Sequence, residues 1–181
     1  LVMMFETPGN FLYGLPDRFG IDDHLAVMSR RLRKFIPSSR PPHFQIIPGT
    51  EDMLRNLKTI YPMAVVSARG ENSSVVFLEQ FGIKDLFNCI ATARTAPRTK
   101  PYPDPILWAA DQMQVDPAEC LMIGDTTVDI LSAKRAGAQA VGVLCGFGER
   151  RELERVGADL ILDVTTEVQD VLLNSDNQNM L

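Results

Sequence analysis

The segment Met122–Asp129, with the sequence MIGDTTVD, places two carboxylates four residues apart after an apolar run and a glycine. Leu121–Ile123 predicts a buried strand and Gly124 a sharp exit, so Asp125 and Asp129 belong to a loop that enters the next helix. Such a pair suits a hard cation such as Mg²⁺, which takes one or two carboxylates together with waters and a phosphate. The alternative interpretation is an Asp N-cap followed by a solvated first helical turn.

A hydroxyl and a lysine stand at comparable places earlier in the chain. Ala64–Gly70 (AVVSARG) is an apolar strand that ends in Ser67 and a glycine, a pattern typical of a phosphate-oxygen site. Lys100 begins the segment Lys100–Pro105 (KPYPDP), in which prolines restrict the direction of the lysine. The carboxyl ends of parallel strands meet at one edge of an open sheet, so these groups converge on one crevice. The sequence therefore predicts a phosphoryl-transfer site.

The rest of the chain predicts a parallel, doubly wound α/β sheet, because short apolar strands alternate with amphipathic helices. Residues 1–46 are expected to form a short helical cap or N-terminal helical segment, residues 47–173 the α/β core, and residues 174–181 a flexible polar tail. The glycines of Gly142–Gly148 predict a strand exit beside the site. Strands are predicted at 63–67, 88–91, 120–123, 140–144 and 160–162, and helices at 51–60, 72–81, 103–114, 127–136 and 149–156.

In these residues the chain resembles the haloacid dehalogenase superfamily, in particular its phosphoglycolate-phosphatase-like branch. The resemblance runs from about Pro48 to Leu173 and rests on three ordered motifs, carried by Ser67, by Lys100 with its prolines, and by the segment Gly124–Asp129. It implies a Rossmann-like core and a hydrolase that acts on a small phosphorylated metabolite with Mg²⁺. Phosphoglycolate, a sugar phosphate and a nucleotide monophosphate all remain open as substrates.

The resemblance also implies a role for each site residue. Ser67 and Lys100 would be the catalytic residues present, with the Ser67 hydroxyl and the Ala68 amide donating to a phosphoryl oxygen. Lys100 would neutralise charge on the phosphate and on the nucleophile, a purely electrostatic role. Asp125 would bind Mg²⁺ directly, whereas Asp129 would complete the metal site by holding a metal-bound water or would hold the lysine.

The first motif of the superfamily is missing. That motif has two aspartates separated by one residue and followed by Gly-Thr; its first aspartate is the nucleophile and its second the acid/base. No such sequence occurs in the chain. Without it no aspartyl-phosphate intermediate forms. The strand that carries this motif lies at the centre of the family's sheet, so its loss would leave unpaired backbone groups in a gap.

Two explanations of the missing motif compete. In the first, the apolar run Leu1–Phe5 fills the gap, Glu6 replaces the nucleophile and Pro8 replaces the acid/base, which would describe a decayed site. In the second, which we favour, the chain is a fragment of a longer polypeptide, and apolar residues such as Leu12 and Leu15 belong to cap helices that follow an upstream motif. Neither explanation gives these 181 residues a standard nucleophile.

The sequence therefore favours a Mg²⁺-dependent phosphohydrolase that is inactive as this chain alone. The alternative is a noncatalytic relative that binds a phosphorylated ligand or a protein partner through the surviving site. A receiver-type signalling domain also combines acidic residues, a hydroxyl and a lysine around an acyl-phosphate. In that class, however, the acidic residues come first and the lysine last, whereas here the hydroxyl, the lysine and the carboxylates follow in turn.

Composition excludes several other classes. A chain of 181 residues, 45% hydrophobic and 23% charged, can bury one sizeable core. The net charge of −5 argues against nucleic-acid binding, and no apolar run approaches the roughly 20 residues of a membrane span. Three widely spaced cysteines, Cys89, Cys120 and Cys145, predict buried, reduced thiols in a cytoplasmic protein.

Overall fold

The computed structural model describes Val2, Met3 and residues 44–178, with side chains over residues 44–174. None of the helices within this part of the chain is long and apolar enough to cross a membrane. The strands are β1 (Val2–Met3), β2 (Ala64–Val66), β3 (Cys89–Ala91), β4 (Leu121–Gly124), β5 (Gln139–Val143) and β6 (Leu160–Leu162). The α-helices are α1 (Thr50–Lys58), α2 (Glu71–Gln80), α3 (Asp104–Met113), α4 (Thr127–Ala136), α5 (Arg150–Arg155) and α6 (Glu167–Gln178).

The predicted alternation of strands and helices is confirmed, and every strand pair is parallel. Strands β1, β4, β5 and β6 form one ladder in that order, and β2 pairs with β3 in a second ladder. Strand β1 lies beside β2, so the order across the two ladders is β3, β2, β1, β4, β5 and β6. The chain winds outward from β1 in both directions. The predicted doubly wound, Rossmann-like α/β fold is therefore correct.

Strand β1 occupies the place at which the missing motif would leave a gap. Val2 is in register with Met122 and Met3 with Ile123, so the start of the chain pairs with the strand that leads to Asp125. This pairing satisfies backbone groups on one edge of β4 that would otherwise be buried without partners. The prediction that the apolar run Leu1–Phe5 provides a strand there is confirmed for Val2 and Met3. Glu6 and Pro8 lie outside the described residues, so their proposed substitution for the motif stays a prediction.

The core lies between this sheet and helices α3 and α4. Strand β2 is buried at every position, as the burial of parallel strands on both faces requires. Small alanines on the two helices let their backbones approach the strands closely, and larger aliphatic side chains fill the space between them. The fully buried members of this cluster include Ala64, Val66, Ile106, Ala109, Met122, Ile130, Ala133 and Leu153.

The three cysteines are free thiols, as the sequence predicts. Cys120 is buried before β4, whereas Cys89 and Cys145 are half-buried. Burial raises the pKa of the Cys89 and Cys120 thiols, because desolvation disfavours the thiolate. Both thiols are therefore protonated at neutral pH and behave as small apolar core groups.

Helix α6 and strand β1 lie at the two ends of the described chain. Helix α6 runs to Gln178, and the sequence predicted no helix over its residues. At the start of α6, the Glu167 carboxylate accepts a hydrogen bond from the Asp163 amide at 3.0 Å. Val168 is buried, so one side of this mostly polar helix packs against the rest of the protein. At the other end, Val2 and Met3 belong to the same compact unit as residues 46–178. Most of the predicted cap, residues 4–43, lies outside the described residues.

Candidate active site

The site is built around a buried ion pair between Lys100 and Asp129. The Lys100 Nζ atom lies 2.7 Å from Asp129 Oδ1, and the exposed fractions of the two side chains are 1% and 0%. The same ammonium donates to the Val66 carbonyl oxygen at 3.3 Å. Val66 ends β2 and Asp129 lies in the first turn of α4, so Lys100 joins two βα connections at the carboxyl edge of the sheet.

Asp129 also organises the start of α4. Thr126, the N-cap residue, donates its backbone N–H (3.1 Å) and its hydroxyl (2.6 Å) to Asp129 Oδ2. Both carboxylate oxygens of Asp129 therefore accept hydrogen bonds from protein groups. Of the two roles expected for Asp129, the structure shows the contact with the lysine. The alternative N-cap interpretation applies to Thr126, with Asp129 as its partner, and not to Asp125.

Asp125 directly follows β4 and lies beneath the loop after β5. Its side chain is almost fully buried, and its Oδ2 atom accepts from the Phe147 amide at 2.9 Å. A methyl group at Gly146 would overlap the Asp125 carboxylate, and one at Gly148 would overlap the Asp125 carbonyl oxygen. The two glycines thus permit the loop to approach Asp125 closely. The predicted strand exit beside the site is confirmed, but the sequence did not identify the Phe147 amide as a partner of Asp125.

Ser67 directly follows β2 and is buried. Its amide donates to the Ala91 carbonyl oxygen at 2.8 Å, and its hydroxyl oxygen accepts from the Arg69 amide at 3.1 Å. These bonds fold the chain into a tight turn that exposes Ala68 before α2 begins. Because Lys100 donates to Val66, the residue before Ser67, the ammonium lies next to the predicted phosphate-binding turn.

Asp125 fits the carboxylate part of a Mg²⁺ site. Within residues 44–178 no cluster of three or more His, Cys, Asp or Glu side chains could hold a metal ion. Mg²⁺ does not require such a cluster, because it keeps several waters and is held by one or two carboxylates plus substrate phosphate. Asp129 is a poor direct ligand here, since Lys100 and Thr126 already occupy its oxygens. Of the two carboxylates, Asp125 therefore fits direct contact with Mg²⁺ better than Asp129 does.

A family model of haloacid dehalogenase-like hydrolases matches residues 13–143 of this chain. The chain therefore belongs to the haloacid dehalogenase-like hydrolase family. It is 34% identical over 135 residues to a phosphoglycolate phosphatase of Neisseria meningitidis, a match that covers 72% of this chain and 57% of the relative. It is 31% identical over 133 residues to a phosphoglycolate phosphatase of Chromobacterium violaceum, covering 73% and 59% respectively. The chain thus spans less than two thirds of the length of these relatives.

Solved structures of the family share the fold. A hydrolase from Pseudomonas syringae superposes with a TM-score of 0.65 at 29% identity, over 71% of this chain and 61% of that one. A haloacid dehalogenase-like family protein from Streptococcus pneumoniae superposes with a TM-score of 0.71 over 83% of this chain and 71% of that one. Both superpositions agree with the predicted α/β fold.

Because the loop packs on Asp125, alanine substitutions at its glycines should destabilise the protein more than an alanine substitution at a glycine outside the loop. We expect Gly146→Ala and Gly148→Ala each to lower the free energy of unfolding by about 1–3 kcal/mol, because the added methyl overpacks against Asp125. Gly70→Ala is the matched control, since a methyl there meets no atom within 4 Å and the backbone is extended. Its effect should stay within about 1 kcal/mol.

The free energy of unfolding of all three variants is measured by urea denaturation, with circular dichroism as the signal. Wild-type stability in Gly146→Ala and Gly148→Ala would contradict the close contact between this loop and Asp125.

Proposed function

We propose that this chain carries the phosphate-binding and Mg²⁺-binding part of a phosphohydrolase site that acts on a small phosphorylated metabolite. We further propose that these 181 residues alone do not turn substrate over, because they contain no Asp-x-Asp motif. The buried pair between Lys100 and Asp129 at the carboxyl edge of the parallel sheet is the observation that carries the proposal. The names of the two bacterial phosphoglycolate phosphatases support a small phosphorylated substrate.

The energetics of a buried ion pair support a functional role for Lys100. Removing two charges from water costs several kcal/mol per ion, and an apolar pair of similar volume is often equally stabilising or more so. The fold alone therefore gains little from a charge in this position. An ammonium held at the end of a strand, beside a turn with a hydroxyl, can attract and neutralise a phosphoryl group. We assign that role to Lys100, with Ser67 and the Ala68 amide as donors to the phosphoryl oxygens.

Asp125 is the residue we assign to Mg²⁺. Its hydrogen bond from the Phe147 amide holds the carboxylate in one orientation, which favours binding of a cation without further rearrangement. Asp129 acts on the site through Lys100, which it holds at 2.7 Å. When bound, Mg²⁺ neutralises charge on the phosphoryl group.

The second candidate function is binding without catalysis. It is favoured by one observation, the absence of the nucleophile motif from a chain that retains the phosphate-side residues. Such a protein would use the same Lys100, Ser67 and Asp125 to bind a phosphorylated ligand or partner. The two candidate functions, hydrolysis and binding, use the same site residues. They differ only in whether a nucleophile can complete the site.

Phosphate binding by the whole chain tests the site. We expect calorimetry to detect binding of inorganic phosphate in the presence of Mg²⁺, and we expect no hydrolysis of para-nitrophenyl phosphate above buffer. Lys100→Met should weaken phosphate binding by about tenfold or more, the effect of losing one charge-assisted hydrogen bond. Lys84→Met is the control, because Lys84 forms an exposed pair with Glu79 and should leave the affinity unchanged.

Asp125→Asn tests the assignment of Mg²⁺ separately, since it should abolish the dependence of phosphate affinity on Mg²⁺. Failure of the unsubstituted chain to bind phosphate would refute the proposed site. Lys100-dependent turnover by the unsubstituted chain would refute our interpretation of the missing motif.

Restoring the motif distinguishes an enzyme from a binding protein. The double variant Glu6→Asp, Pro8→Asp creates the sequence Asp-Thr-Asp-Gly directly after the run that contains β1. If β1 is the strand that precedes the motif and the site is that of a phosphohydrolase, this variant should hydrolyse para-nitrophenyl phosphate with Mg²⁺, and the further change Lys100→Met should abolish the turnover. The single variant Pro8→Asp serves as the control, because it lacks the nucleophile. Phosphate binding without turnover in the double variant would favour the noncatalytic candidate.

A further inference from the structure

Helix α4 contacts the Lys100 segment at both ends of the lysine side chain. At the tip, Asp129 holds the ammonium. At the base, the Ser132 hydroxyl donates to the Tyr102 carbonyl oxygen at 2.7 Å, and the Arg135 guanidinium donates to the Pro101 carbonyl oxygen at 2.8 Å. The two carbonyl groups that follow Lys100 in the chain are thus bonded to the same helix that carries the partner of its ammonium.

The spacing of the three helical residues explains how one helix can do this. Asp129, Ser132 and Arg135 follow at intervals of three residues, so they form a row along one side of α4 that faces the Lys100 segment. Ser132 is fully buried. Removal of its hydroxyl would therefore leave the Tyr102 carbonyl without this donor in a site that water does not reach. Arg135, by contrast, is exposed and makes its bond at the surface.

Guanidinium groups hold the outer side of the same segment. Tyr102 is 46% exposed, so its side chain is not part of the core. The Arg98 guanidinium carbon lies 4.5 Å from the ring centroid and that of Arg135 lies 6.0 Å away, within the range of cation–π attraction. Arg98 is itself held by Asp104 through a 3.0 Å ion pair. Arg135 therefore contacts both the backbone and the ring of the segment that carries Lys100.

We propose that Ser132 and Arg135 are positioning residues that fix the backbone of the Lys100 segment and thereby the place of its ammonium. A lysine side chain is flexible, and a bond at its tip alone leaves the base free to shift. Because α4 holds both the tip and the base, the helix sets the distance between them. The part of this inference that concerns phosphate rests on the proposed function; the position of the ammonium does not.

The reactivity of Lys100 toward an acylating reagent tests this inference without any ligand. The ammonium is almost fully buried, so acylation requires local opening of the segment. We expect Arg135→Ala and Ser132→Ala each to accelerate acylation of Lys100 by about fivefold, the effect of one lost hydrogen bond. Arg135→Lys should restore the slow rate, because its ammonium can also donate to Pro101. The rates are read by mass spectrometry of the peptide that contains Lys100.

Two controls separate positioning from general effects. Arg155→Ala removes another exposed arginine, on α5, and should leave the Lys100 rate unchanged. Exposed Lys84 serves as the internal reference in every variant. Wild-type rates at Lys100 in both alanine variants would overturn the inference, and so would equal acceleration in Arg155→Ala. Because Arg135 is exposed, its variant keeps the test decisive even if Ser132→Ala unfolds.

The affinity for inorganic phosphate with Mg²⁺ gives the functional readout. We expect Arg135→Ala to weaken it by about fivefold and Arg135→Lys to restore it, in parallel with the acylation rates. If the unsubstituted chain binds no phosphate, the proposed function fails, and the acylation rates alone then support or overturn the positioning roles.

Discussion

Lys100 and Asp129 are oppositely charged, buried and 2.7 Å apart, and the arrangement of the site edge depends on this contact. Neither charge can be lost alone without leaving the other in a low-dielectric interior, a change that typically costs about 3–5 kcal/mol. The pair links the end of β2, the turn before α3 and the start of α4, which are distant in sequence. Each of these connections carries one of the groups that we assign to phosphate or Mg²⁺.

The remaining contacts maintain the geometry that this pair requires. Asp129 is held by Thr126, and Asp125 is held by the loop Gly146–Gly148, so both carboxylates have fixed orientations. Strand β1 supports the same edge, because it pairs with β4 directly before Asp125. The ammonium of Lys100 and the carboxylates of Asp125 and Asp129 are therefore held in place at one edge of a parallel sheet. This edge is the usual location of ligand sites in open α/β folds. The chain preserves this edge although it lacks the aspartate motif of its family.

The fold could be predicted from sequence alone because it depends on local patterns of apolar and turn residues. Apolar runs mark the strands, and glycine or proline marks turns, so Ser67 and Asp125 could be placed directly after strands and Lys100 in a turn before a helix. The sequence could not choose between water and lysine as the partner of Asp129, because that contact depends on where the Lys100 segment packs. The close approach of the Gly146–Gly148 loop to Asp125 is likewise a property of the folded chain. Helix α6 was missed because the polar residues 174–178 at its end are typical of a flexible tail.

A double-mutant cycle on Lys100 and Asp129 measures whether the two buried charges stabilise each other. Lys100→Met and Asp129→Asn each remove one charge, and the free energy of unfolding of both single variants and the double variant is measured by urea denaturation. We expect each single change to lower the free energy of unfolding by about 3–5 kcal/mol, and the double variant to lose less than the sum of the two by more than about 1 kcal/mol. Additive losses would contradict this expectation, because they would show that the two charges do not interact in the folded protein.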